Sequence, residues 1–250
     1  MKPLLRALTL LLCIAVSAPA LALESFVADY QVFNAGKALG EATMQVVPDA
    51  GRWRIDLNMR GTRGLMGLAG VNAQQSTVFD TVGDAYRPLS QSTVRKALFV
   101  GKQITGSYDW GNHSARWTGD VKKNRQAPVP LRDGDMSGLL INLAIIRDAQ
   151  PGRTLVYRFV DTGPFDEYKP EFGQTLVYRF LNNGRARDHR YAVANDLESV
   201  SVDGMSFNAM RVARVQGNEE TVVWVVDGVP TPVRILQREN GEDTFDLRLV

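Results

Sequence analysis

The sequence predicts a mainly β domain of the β-rich α+β kind, in which antiparallel strands are accompanied by one principal helix. Three observations carry this. Apolar and polar residues alternate with period two over many short segments, Gly, Pro, Asp and Asn punctuate those segments, and one stretch alone has helical spacing. The chain has 250 residues, 44% hydrophobic and 22% charged, long enough to bury a sizeable core without cross-links or a metal.

The first 22 residues, MKPLLRALTLLLCIAVSAPALA, combine basic Lys2 and Arg6, a mostly apolar run from Ala7 to Val16, and the small-residue pattern Ala20-Leu21-Ala22. That is the grammar of a cleaved secretory signal peptide, and the apolar run falls short of the ~20 residues of a bilayer span. Residues 23–250 are therefore expected as one exported periplasmic domain with no transmembrane span. The lone cysteine, Cys13, leaves with the signal. Cleavage also removes Lys2 and Arg6 from the 29 basic residues, which makes them equal in number to the 27 acidic ones. A neutral mature chain whose one short basic cluster is Lys122-Lys123 with Arg125 does not read as a nucleic-acid binder.

Within the mature chain, Phe26, Ala28, Tyr30 and Val32 start the alternation. Asn34-Ala35-Gly36 turns the chain into a second strand over 40–47, and Trp53, Ile55, Leu57 and Met59 form the apolar face of a third. Strands are predicted at Thr77 to Phe79, Gln91 to Arg95, Gln103 to Trp110 and Ser114 to Thr118, and later at Asn208 to Val215, Thr221 to Val226, Thr231 to Arg238 and Thr244 to Val250. Val222 to Val226 is apolar on both faces, which places it centrally. Asp227-Gly228 and Asn240-Gly241 are turn pairs, and Pro230 and Pro232 belong at a strand's start. Asp133 to Ala149 breaks the rhythm: Met136, Leu139, Leu140, Leu143 and Ile146 make one helical stripe, Asp135 is positioned to cap it, and Pro151-Gly152 stops it. That helix is expected to cover an open side of the sheet. TLVYRFV at 154–160 recurs as TLVYRFL at 175–181, two strands with aromatic faces Tyr157/Phe159 and Tyr178/Phe180.

Chemistry-bearing motifs are sparse. His113 lies at a turn, and His189 follows Asp188 but points to the other side of any strand they share. No G-x-S-x-G elbow, zinc signature, calcium loop or nucleotide-binding glycine motif occurs, so neither a cofactor nor a metal is expected. Glycines at 61, 64, 67 and 70 recur every third residue. They serve either close backbone packing or a flexible apolar loop whose Leu65, Met66 and Leu68 line the mouth of a ligand cavity.

Three stretches, YQVFNAGKALGEATMQV from Tyr30, LLINLAIIRDAQPG from Leu139 and VWVVDGVPTPVRILQRENGEDTFDLRLV from Val223, resemble the bacterial domain-of-unknown-function family 3108, whose members are largely exported or lipoprotein-like. The resemblance implies a strongly curved antiparallel sheet forming an open or half barrel with a helix, similar to periplasmic lipoprotein carriers. It supplies no catalytic residues. The expected function is a non-catalytic envelope protein. An apolar or acyl-bearing ligand would lie between one wall of Trp53, Ile55, Leu57 and Met59 and another of Tyr157, Phe159, Tyr178 and Phe180, with Leu65, Met66 and Leu68 at the mouth. The same side chains could instead fill a core, leaving an assembly module with an envelope-protein partner, and a hydrolase acting on glycan or ester substrates is the third reading. A continuous apolar cavity, a filled core with an exposed patch, and a polar cleft converging on histidine or paired carboxylates separate the three.

Overall fold

The computed structural model describes residues 23–97, 100–160 and 186–250, apart from the side chains of Leu65, Asn124 and Arg187. The expected signal peptide and the second aromatic copy, with Tyr178 and Phe180, lie outside them.

The period-two segments form strands, most of them longer than their apolar cores suggest: β1 (Phe26–Asn34), β2 (Lys37–Asp49), β3 (Arg52–Gly61), β4 (Asn72–Val82), β5 (Ala85–Ala97), β6 (Val100–Asp109) and β7 (Ser114–Gly119). Short β8 (Val129–Pro130) and β9 (Asp135–Met136) precede the principal helix. β10 (Thr154–Phe159), β11 (Arg187–Val202), β12 (Met205–Gln216), β13 (Glu219–Val225), β14 (Arg234–Glu239) and β15 (Glu242–Leu249) follow it. β11, at 16 residues the longest, has no counterpart in the predicted set. Its run of Asp, Asn, Glu and Ser reads as loop chemistry, yet Tyr191 and Val193 anchor it to the core, and its register with β12 shifts between Val193 and Leu197.

All 15 strands join one sheet in the order β8-β7-β6-β5-β4-β3-β2-β1-β15-β14-β13-β12-β11-β10-β9. Every neighbouring pair is antiparallel except β9 with β10. The first and last strands meet in the middle, with Tyr30 opposite Leu249 and Val32 opposite Leu247. Two-residue turns make the hairpins tight: Ala35-Gly36 and Asn240-Gly241 both adopt positive φ at each residue, the geometry whose twist matches the flanking strands. The predicted start of β14 at Thr231 moves to Arg234, because Pro230 and Pro232 lie in the preceding loop.

The sheet curls into a barrel that strand pairing does not close. β9 lies against β5, tied there by a 2.9 Å hydrogen bond between the hydroxyls of Thr77 and Ser137. The Tyr108 hydroxyl donates to the Val160 carbonyl at 3.0 Å across the same seam, over a separate cluster of Ile104, Ala115, Trp117 and Leu131. A third cluster, with Val222, Trp224 and Leu236, occupies the outer face of the C-terminal strands. β13 is thus buried on both faces, as its sequence predicts.

Helix α2 (Gly138–Asp148) does not cover an opening; it fills the inside. Every residue from Leu139 to Ala144 and Ile145 is buried, and the helix packs on β3, β4, β5 and β10. The single predicted stripe is widened because LLINLAII is apolar nearly all round, the composition of an enclosed helix. Asp135 does not cap it. Ser137 holds that position with its hydroxyl turned to Thr77, and Asp135, fully buried in β9, instead accepts both contacts from Arg158 Nη1 at 2.6 and 2.5 Å. At the helix's other end Arg147 pairs with Asp148 and lies over the Tyr86 ring, while the Tyr157 hydroxyl donates to Asp148 at 3.0 Å.

Each barrel end carries a crossing segment among the described residues. At one, the Tyr30 hydroxyl donates to the Pro232 carbonyl at 2.8 Å and is bonded to Thr231, drawing the 226–233 loop across the rim. At the other sits the five-residue helix α1 (Gly64–Leu68). Its glycine pattern has a packing cause: a Cβ on Gly61 would come within 2.8 Å of Met66 and one on Gly67 within 2.9 Å of Thr62, while Gly64 and Gly70 carry positive φ. Gly61→Ala is expected to push α1 outward and lower stability by about 1–3 kcal/mol, the usual cost of overpacking, seen as an earlier urea midpoint with an unchanged slope.

Candidate functional site

The apolar residues expected to line a cavity separate into distinct environments. Ile55, Leu57 and Met59 are buried, as are Tyr157 and Phe159 on the facing strand, and Trp53 is half-buried against the same core. Helix α2 occupies the space between the two walls. Met66 is buried under α1, whereas Leu68 is 83% exposed; the Leu65 side chain is outside the described residues. The apolar space bounded by Val32, Leu39, Met59, Met66, Val71 and Phe245 is about 30 Å³. One water has that share of liquid volume, and small-molecule pockets run roughly ten times larger.

The two histidines sit in different environments. His113 is an exposed turn residue with positive φ. His189 is buried, its ring 5.1 Å from that of Phe159 and 6.4 Å from that of Tyr191, and Asp188 is exposed on the opposite side of β11. Among the described residues no group of three or more His, Cys, Asp or Glu is placed to hold a metal ion, and no helix is long and apolar enough to cross a membrane.

The open space lies on the outside of the N-terminal strands. Side chains of β2 to β5 that point away from α2 border two adjoining hollows of about 330 and 340 Å³. Asn58, Gln74 and Val94 belong to both. The first is completed by Glu41, Arg60, Asn72 and Lys96, the second by Gln45, Arg54, Asp56, Ser76 and Ser92. Register explains the grouping: Thr43 faces Asn58 and Asn58 faces Gln74 in one row that ends on Val94, and the adjacent row on the same face runs Gln45, Asp56, Ser76 and Ser92.

Electrostatically this trough is quiet at its centre. The carboxylate of Asp56 accepts from Arg54 Nε at 3.0 Å and Gln45 Nε2 at 2.8 Å, and Glu41 stands opposite Arg60. Neither carboxylate has a second acid or a histidine beside it in the trough. The residues suit holding an uncharged, hydrogen-bonding chain and lack a general acid–base pair. Perturbed acidities belong to structural groups elsewhere: Arg87 draws Asp80 below the ordinary carboxylate range, and burial raises Tyr30, Tyr157 and Tyr191.

Sequence reasoning passed over this face because each strand contributes one or two unremarkable polar residues to it. A signal is present nonetheless: outward positions of half-buried antiparallel strands commonly carry charge, and 74, 76, 90, 92, 105 and 107 are Gln, Ser, Ser, Ser, Thr and Ser.

A curled antiparallel sheet wrapped round a buried helix defines a barrel-like module with its polar working space outside. The chain belongs to the family described as "Protein of unknown function (DUF3108)", whose model matches residues 25–248. Among solved structures, it is similar to a β-barrel-like protein of domain of unknown function DUF1849 from Brucella abortus, at 10% identity and a TM-score of 0.44 over 90% of this chain and 95% of that one. A DUF1089 family protein from Pseudomonas aeruginosa aligns at 12% identity and a TM-score of 0.37 over 77% and 87%. No curated protein matches the chain in sequence.

Proposed function

We propose that the protein is a non-catalytic cell-envelope binding module that engages its ligand through the outer trough of β2 to β5 and not through the barrel interior. The observation that carries this reading is the placement of α2: it fills the volume a carrier would leave open, while the trough outside offers hollows within the size range of ligand sites. The neutral side chains of Asn58, Gln74, Ser76 and Ser92, from two adjacent rows, point to an uncharged chain bearing hydroxyl or amide groups, because each such side chain both donates and accepts. The envelope location rests on the basic, apolar and small-residue order of residues 1–22.

The test is a benzophenone amino acid placed at Ser92, irradiated in cells, followed by mass spectrometry of the purified protein. A discrete adduct that disappears in the Asn58→Ala/Gln74→Ala background is the expected result. A trough that captures nothing, together with an acyl-bearing molecule retained on the native protein, would return the site to the interior. Turnover of a glycan or ester lost specifically in a folded His189→Ala variant would make the protein an enzyme.

A further inference from the structure

The α1 end of the barrel gathers positive charge from segments far apart in sequence. Arg60 faces Asn72 across β3 and β4 and Asn72 faces Lys96 on β5, while Lys102 on β6 pairs with Arg95 and adds its charge at the same end from the other face of the sheet. At about 4.8 Å per strand, Arg60 and Lys96 are about 10 Å apart. Arg63 stands at the entrance to α1, its backbone N–H bonded to the Leu39 carbonyl at 3.1 Å. All four cations are exposed, and none makes an ion pair among the described residues, whereas Arg87, Arg211, Arg234 and Arg238 are each paired with a carboxylate. No Asp or Glu occurs between Asp56 and Asp80 or between Asp84 and Asp109; the acids beside these strands are Glu41, opposite Arg60, and Asp120, whose carboxylate accepts from the Gln103 backbone N–H at 2.7 Å.

Two large apolar side chains project among these cations. Leu68 at the end of α1 is 83% exposed and Val100 at the start of β6 is 66% exposed, on neighbouring connections at the same end of the sheet. A soluble polyanion would neutralise the charges and leave Leu68 and Val100 in water. An anionic bilayer satisfies both, since its headgroups take the cations and its interfacial layer takes the apolar tips.

We propose that this end is a membrane-contact surface that docks on anionic lipid headgroups, with Arg60, Arg63, Lys96 and Lys102 supplying the charge and Leu68 and Val100 the apolar contact. Arg60 and Lys96 also border the first hollow of the trough, so docking covers that end and leaves the second hollow, from Gln45 to Ser92, on the side of the barrel; it does not require the trough to be occupied.

Cosedimentation of the full chain with vesicles tests it. Binding is expected to mixed phosphatidylglycerol–phosphatidylcholine vesicles and not to phosphatidylcholine alone. Arg63→Glu/Lys96→Glu should weaken it by at least about 25-fold, at about fivefold for each cation lost, and Arg52→Glu on the β2–β3 turn at the opposite end of the barrel should not. Leu68→Ser/Val100→Ser should keep low-salt binding and lose the part that survives high salt. All these positions are exposed, and circular dichroism confirms folding of each variant. Equal binding to both vesicle types, or indifference to Arg63→Glu/Lys96→Glu, overturns the proposal. So does heparin binding as tight as vesicle binding with Leu68→Ser/Val100→Ser having no effect at any salt, which would identify a soluble polyanion site.

Discussion

Leu140→Asp should abolish cooperative folding. Leu140 is completely buried on α2 at the centre of the barrel. Losing its side chain costs about 2–5 kcal/mol, and an unpaired carboxylate there adds several more. The sum approaches the whole stability of an ordinary domain, about 5–15 kcal/mol. The near-ultraviolet dichroism of the packed aromatics should vanish and no urea transition should remain. Leu68→Asp, the same change on a side chain 83% exposed, should move stability by no more than about 0.5 kcal/mol. A folded Leu140→Asp protein would mean that α2 can leave the barrel, and an interior ligand would again be tenable.

The second large effect concerns Asp135 and Arg158. Asp135 is fully buried with Arg158 Nη1 on both carboxylate oxygens, and the Arg132 N–H donates to it at 2.8 Å. Burial nevertheless outweighs these partners and holds its pKa above the ordinary carboxylate value. Arg158→Ala leaves that charge unpaired, which costs about 3–5 kcal/mol near neutrality. The sign with pH follows from the raised value. Below the unfolded pKa, about 3.9, Asp135 is protonated in both states and imposes no penalty. The penalty grows as pH rises from there through the folded pKa. The deficit of Arg158→Ala relative to the parent should therefore shrink as pH is lowered from 7 towards 4 in paired urea melts. A deficit constant with pH would assign the effect to the packing of the Arg158 stem.

What the sequence discloses and what it conceals divide along physical lines. Period-two alternation discloses the strands wherever one face is apolar, as in Ile55, Leu57 and Met59, because burial itself imposes the pattern. β11 is concealed because its middle, residues 194–199, has no buried face, which splits its buried positions into two short stretches, His189, Tyr191 and Val193 and then Val200 and Val202. The difference between a helix laid on a sheet and one enclosed by it is legible in LLINLAII, whose uncharged far side has nothing to offer water. The Gly61-Gly64-Gly67-Gly70 series is visible as a pattern, but only its contacts with Met66 and Thr62 give it a packing cause. The trough and the basic end stay hidden for a different reason: both are made of rows across strands, and a row takes one residue from each. Neighbours such as Asn58 and Gln74, or Arg60 and Lys96, become neighbours only once the register is set.

The pairing of β1 with β15 has a temporal meaning. A chain made from its N-terminus presents β1 first, with one edge satisfied by β2 within a dozen residues and the other vacant until the final strand arrives. The central seam of the sheet is thus the last to be sewn, a contact of nearly the greatest sequence separation the molecule contains, and such closures are slow. The same seam makes the fold nearly circular: opened at the Ala50-Gly51 turn and joined near β1 and β15, the sheet would keep its strand order, the β1–β15 seam would become a local hairpin, and the long-range closure would move to β2 with β3.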